Sequence, residues 1–131
     1  METIFTKIIK GDIPSYKIAE NEDYYAFLDI NPNAKGHTLV IPKTPVDKLF
    51  DLDEVTYQGL FAFSRRVAAA IEKVVPCNRV GLTVIGLEVP HAHVHLIPLN
   101  NMSDASFSKP KVAMTNEEFI TLANKISSAF D

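Results

Sequence analysis

The sequence predicts an α+β domain, an antiparallel sheet of about five strands with one long helix and shorter helices toward both ends. Three observations predict it. Short runs of branched and aromatic residues come in pairs separated by turn residues, as hairpins require. A single apolar period close to 3.6 residues runs between the two pairs. The resulting order of helix, hairpin, long helix, hairpin and helix lacks the strand-helix alternation of a parallel crossover sheet. At 131 residues, 47% hydrophobic and 22% charged, the chain fits one domain, residues 1–131, with enough apolar side chains for a core.

Thr3 to Lys10 reads as a short helix that turns Ile4, Phe5 and Ile8 to one side and stops at Gly11 and Pro14. Lys17 to Glu20 reads as an edge strand. Tyr24 to Ile30 is aromatic and branched enough for a second strand, between a turn at Asn21-Glu22-Asp23 and another at residues 31–36. His37 to Ile41 is the returning strand, closed by Pro42. Asp51 or Asp53 caps a long helix through Val75, with Val55, Leu60, Phe63, Val67, Ala70, Ile71 and Val74 near one period and Pro76 as the stop. Phe61 and Ala68 to Ala70 extend its apolar surface beyond one face, so a homodimer is expected. Two more strands, Arg79 to Ile85 and Pro90 to Leu99, flank Gly86-Leu87-Glu88, and Thr115 with Glu118 forms a capping box for the last helix.

A net charge of -3 gives no general attraction to nucleic acid or anionic lipid, so neither is an expected partner and any phosphate recognition must be local. Cys77 is the single cysteine, which excludes an intrachain disulfide and suits a reducing compartment. With no basic segment leading a long apolar run, neither a signal peptide nor a membrane span is expected, and the expected location is the cytoplasm.

The chemistry concentrates in His91-Ala92-His93-Val94-His95, which with His37 holds all four histidines. On a strand the three imidazoles share one face, roughly 6.5–7 Å apart, while Ala92, Val94 and Leu96 pack the other. That spacing can bracket a phosphate. An imidazole with a pKa near 6.5 serves as nucleophile, proton donor or charged partner at neutral pH, and a carbonyl beside one nitrogen would fix the productive tautomer. Two competing readings remain: histidines decorating a sheet surface, and a three-imidazole zinc site. No phosphate-binding glycine loop of either common type occurs. Gly86 either presents backbone N–H groups to a phosphate or serves only the hairpin.

His91-Ala92-His93-Val94-His95-Leu96-Ile97 resembles the histidine triad motif, in which three histidines alternate with apolar residues. Residues 4–14, Ala26 to Pro32 and Gly36 to Lys43 resemble that family's opening segment and central hairpin, so the likeness spans about residues 3–99. The resemblance is to the nucleotide-binding branch, and it implies a homodimeric α+β hydrolase or transferase acting on nucleoside 5′-phosphate derivatives. His93 matches the nucleophile that forms a covalent nucleotidyl-histidine. His95 matches the phosphate contact, His91 the residue whose carbonyl orients the nucleophile, and His37 the fourth member of the proton network. Asp29 matches the carboxylate on the ribose hydroxyls, with Ile4, Phe5, Ile8, Phe27, Leu28 and Ile30 around the base.

The resemblance has departures. Many relatives carry Cys-x-x-Cys near the start and a later histidine as a structural zinc site, and those positions here are Thr3, Thr6 and Pro45. No metal or other cofactor is therefore expected. The stretch before the triad is short, with Leu87 where glutamine is common and Glu88 where some relatives place serine or threonine near the leaving group. A carboxylate there either repels anionic leaving groups or faces solvent. The expected reaction is hydrolysis of a purine nucleoside 5′-phosphoramidate or similar nucleotidyl adduct. The alternatives are a dinucleoside polyphosphate hydrolase and a nucleotide-binding dimer with little activity.

Overall fold

The computed structural model describes residues 2–131. Helix α1, Ile4–Lys10, begins at a Thr3 cap whose hydroxyl accepts the Thr6 N–H, and ends at Gly11 in the left-handed region, φ 85°. Strands β1 (Lys17–Glu20), β2 (Tyr24–Leu28) and β3 (Thr38–Pro42) follow, then α2 (Glu54–Val74), β4 (Arg79–Thr83), β5 (Val94–Leu99) and α3 (Asn116–Ala129). The five strands form one sheet in the order β1-β2-β3-β5-β4, antiparallel at every pairing. The class expected from the alternation of hairpins and helices is the one observed.

Alternation sorts the sheet residues into two layers. Ala26, Leu28, Val40, Val94 and Leu96 pack against Leu60, Phe63, Val67 and Ile71 of α2 and against Phe119 and Ile126 of α3. Burying each of the larger side chains is worth about 1.5–3 kcal/mol, which holds both helices on this face. Tyr25, Phe27, Leu39 and Ile41 point the other way, where α1 covers them with Phe5 and Ile8, joined by Ile13 and Val89 from the loops. One face of the sheet is thus thickly covered and the other thinly, and the histidines belong to the thin side.

Several boundaries differ from the expectations. Asp53 caps α2, and Asp51 instead closes a 3-10 turn at Leu49–Asp51. β4 stops at Thr83, and β2 stops at Leu28. The largest difference is β5, which starts at Val94 and not near Pro90. The reason is where the backbone donors go: the His91 N–H bonds the Val89 carbonyl at 2.8 Å and the Ala92 N–H bonds Val46 at 2.7 Å, so neither enters a ladder. Gly36, at φ 99°, shapes the turn into β3. A Cβ there would meet Val75 Cγ2 at 2.9 Å, so both conformation and space require glycine.

The core of α2 holds one uncompensated polar group. Ser64 is buried and its hydroxyl has no hydrogen-bond partner among the described residues. Ser64→Ala is expected to raise stability by about 1 kcal/mol, because the desolvation penalty goes with the hydroxyl. A denaturant midpoint that falls instead would show that the hydroxyl has a partner in solution.

Candidate active site

The site grows from one rule: a carbonyl oxygen only accepts a hydrogen bond and a backbone N–H only donates one. His93 Nδ1 lies 2.7 Å from the His91 carbonyl oxygen, so Nδ1 carries the proton and Nε2 keeps its lone pair. The Asn33 backbone N–H lies 3.0 Å from His37 Nδ1, so that nitrogen accepts and His37 Nε2 carries the proton. His37 Nε2 is 3.0 Å from His95 Nδ1, which therefore accepts, leaving the His95 proton on Nε2. The backbone fixes both ends of this chain. His93 offers an electron pair and its neighbour offers an N–H, with ring centroids 5.0 Å apart.

The bond between His37 and His95 requires both of those rings to be neutral, and burial supplies that condition. Burial pulls His37 down to about 3, aided by any positive charge on His95 and by Lys111. His95 falls to about 4, chiefly through burial, with His93 and Lys111 adding to it. β5 sits between β3 and β4, with His95 paired to Leu39 on one side and Thr83 on the other, so the proton donor stands at a doubly braced position.

The structure turns all three triad rings to the α1 side, His91 and His93 both edge-on to Phe5, but only His93 and His95 stand ring against ring. Ala92, Val94 and Leu96 enter the α2-side core as alternation requires. His91, however, precedes the strand, is 0% exposed, and turns its ring toward α1. Its Nε2 donates to the Pro42 carbonyl at 2.7 Å, so its Nδ1 accepts from the Thr3 hydroxyl at 2.8 Å. The ring is a structural peg, and only its backbone carbonyl reaches His93.

Asp29 follows β2, its N–H bonded to the His37 carbonyl at 3.0 Å and its Oδ1 accepting the Asn31 N–H at 2.8 Å. Its other oxygen stands 3.6 Å from His37 Nε2, and burial pushes its carboxyl above the usual range. Phe5 is the apolar centre of the site, edge-on to Phe27 at 5.7 Å and to His93 at 5.0 Å. Ile8 is buried beside it, while Ile4 and Ile30 are 49% and 66% exposed, the latter leaving apolar surface open next to Asp29 in the chain. Leu28 is the exception among the expected base-lining residues: pointing to the opposite face from Phe27, it packs in the α2-side core. Gly86 adopts φ 73° with open space where a Cβ would project, and Glu88 is exposed, its charge still felt at Asp29.

A zinc site among the triad histidines does not fit. Both nitrogens of His91 are engaged away from the other rings. The tightest ligand-type group among the described residues is Asp29, His37 and His95, whose donor atoms lie within 4.8 Å of one another. Yet His37 has no free lone pair, since one nitrogen accepts from Asn33 and the other donates to His95.

Sequence reasoning missed three residues. Asn33 read only as part of a turn, and Phe107 and Lys111 lie in a stretch with no periodicity to mark it. Phe107 stands edge-on to His95 at 4.9 Å and to His37 at 6.0 Å. Lys111 bonds Asn33 Oδ1.

A sequence model of the HIT domain matches residues 10–102, most of the chain and all four histidines. The chain belongs to the HIT family. This HIT domain is 37% identical over 131 residues to the adenosine 5′-monophosphoramidase of Schizosaccharomyces pombe, covering 98% of each chain. It superposes on the HIT-like protein of Bartonella henselae with a TM-score of 0.85 at 30% identity, over 98% of this chain and 96% of that one. A zinc-bound histidine triad family protein of Mycobacterium smegmatis gives 0.81 at 30% identity, over 98% and 95% of the two chains.

Zinc at the N-terminal segment of this HIT domain fails on its donors. The Thr3 hydroxyl donates to His91 and accepts from the Thr6 N–H, and the Thr6 hydroxyl donates to the Thr3 carbonyl while accepting the Thr3 N–H. Two saturated neutral hydroxyls and Pro45 replace what would have to be thiolates and an imidazole.

Proposed function

We propose that this HIT protein hydrolyses nucleoside 5′-phosphoramidates or related nucleotidyl adducts through a covalent intermediate on His93. The supporting observation is the pair of opposite tautomers, an Nε2 lone pair on His93 beside an Nε2–H on His95. In the first step His93 Nε2 attacks phosphorus and the phosphorus–nitrogen bond breaks, the amine leaving with a proton from solvent. His91's carbonyl holds the Nδ1 proton and stabilises the positive ring that forms, while His95 Nε2–H bonds a phosphoryl oxygen as charge gathers there. In the second step water attacks phosphorus and gives up a proton to solvent, the bond from phosphorus to Nε2 breaks so that His93 departs as a neutral imidazole, and a nucleoside monophosphate is released. Asp29 holds the ribose hydroxyls, and the open apolar surface of Ile4 and Ile30 beside Phe5 and Phe27 takes a purine. The working unit in this reading is a cytoplasmic homodimer.

The charge of Glu88 near Asp29 favours an amine leaving group over an anionic polyphosphate. Incubation with adenosine 5′-phosphoramidate is expected to show turnover that resists chelators and exceeds cleavage of a dinucleoside polyphosphate. AMP binding without turnover of either compound would favour a binding protein, and activity lost on chelation would favour a metal enzyme.

A further inference from the structure

The stretch between β5 and α3 takes no part in the reaction above. After a 3-10 turn at Met102–Ala105 it runs through residues 106–115 without helix or strand. Three contacts nonetheless tie it to the proton chain. Phe107 lays its ring edge against both His95 and His37. Lys111 Nζ donates to Asn33 Oδ1 at 2.5 Å and lies 4.9 Å from the centroid of the Phe107 ring. The Val112 N–H donates to the Pro32 carbonyl at 2.9 Å.

Asn33 is the residue on which these contacts converge. It is fully buried, its backbone N–H sets the tautomer of His37, and its Nδ2 has no hydrogen-bond partner among the described residues. The bond from Lys111 is thus the one that anchors its side-chain amide. Charge matters as well as contact. Around the His37–His95 pair stand the Asp29 carboxylate, 3.6 Å from His37, the His93 ring beside His95, and the Lys111 ammonium, with exposed Glu88 further out beyond Asp29. The carboxylate alone would favour an imidazolium, and the lysine opposes it.

We propose that Lys111 is a positioning residue for the proton chain: through Asn33 and Phe107 it holds the Asn33 N–H on His37 Nδ1, and its fixed charge disfavours a second positive charge on either ring. His95 then always presents Nε2–H to the phosphate site. A protonated His95 would carry a proton on Nδ1 facing the one on His37 Nε2, and the chain would break. Its catalytic consequence rests on the nucleotidyl-transfer reading, whereas its effect on the rings does not.

The test is nitrogen-15 NMR of the imidazoles in the full-length protein, wild type against Lys111→Met, Lys111→Gln and Lys111→Arg. Methionine keeps an alkyl chain on Phe107 at an exposed position, and glutamine keeps a donor for Asn33 without the charge. The wild type is expected to show His37 and His95 as neutral Nε2–H tautomers. Both neutral variants are expected to raise the pH at which the two rings begin to protonate by at least about half a unit, and arginine to restore it. The acid limb of kcat/KM for adenosine 5′-phosphoramidate moves up with it. Ring titrations that superpose on wild type in either neutral variant overturn the proposal. A wild type without turnover overturns the proposed reaction and leaves the imidazole experiment decisive for Lys111.

Discussion

His93→Ala is expected to lower kcat/KM for adenosine 5′-phosphoramidate by about 10³-fold or more, because no other imidazole on the site offers a free lone pair. The Nε2 of His95 carries a proton, His37 uses both nitrogens within the chain, and His91 uses both on Pro42 and Thr3. Water alone would have to attack phosphorus. The ring of His93 also packs on Phe5 and His95, so its removal costs some stability, and the loss of rate must be read on protein that still binds AMP. Steady-state kinetics with a binding control distinguishes the two effects. Retention of more than a tenth of wild-type activity would remove His93 from the chemistry.

Acid is expected to destabilise this protein well above the range in which ordinary carboxylates titrate. His37, His95 and His91 all have folded pKa values below 6.5, held down first by burial. Below about pH 6.5 the unfolded chain takes up protons that the folded chain refuses, so stability falls as the pH falls. The loss runs on to about 4 for His95 and about 3 for His37, and each contributes up to about 1.4 kcal/mol per pH unit across its window. Asp29 works the other way, since its raised value lets the folded state bind a proton first, but it is one group against three. The melting temperature is therefore expected to drop steadily between pH 7 and pH 4.5, less steeply in His37→Asn. A flat profile over that interval would mean that the rings are not buried neutral.

Much of this arrangement was legible in the sequence, and its limits have physical causes. The period of α2 and the paired strands marked the fold because each element buries one face at its own repeat. The alternation after Pro90 marked which residues turn inward, and Ala92, Val94 and Leu96 do so. It did not mark where the strand begins, because the partners of His91 and Ala92 are the carbonyls of Val89 and Val46, supplied by loops that no pattern announces. Thr3 reads as a helix cap from its neighbours, yet its bond to His91 spans 88 residues. The tautomers lie in the same class: histidine at position 37 is visible, whereas the N–H that sets its protonated nitrogen belongs to a turn asparagine and Lys111 secures that asparagine from beyond the sheet.

The most direct measurement is mass spectrometry, without acid, of protein quenched during turnover of adenosine 5′-phosphoramidate. The account requires one nucleotidyl group per modified chain, attached to His93 and absent from His93→Ala. Turnover that proceeds with no adduct on that residue, or with the label on His95 or His37, would contradict it.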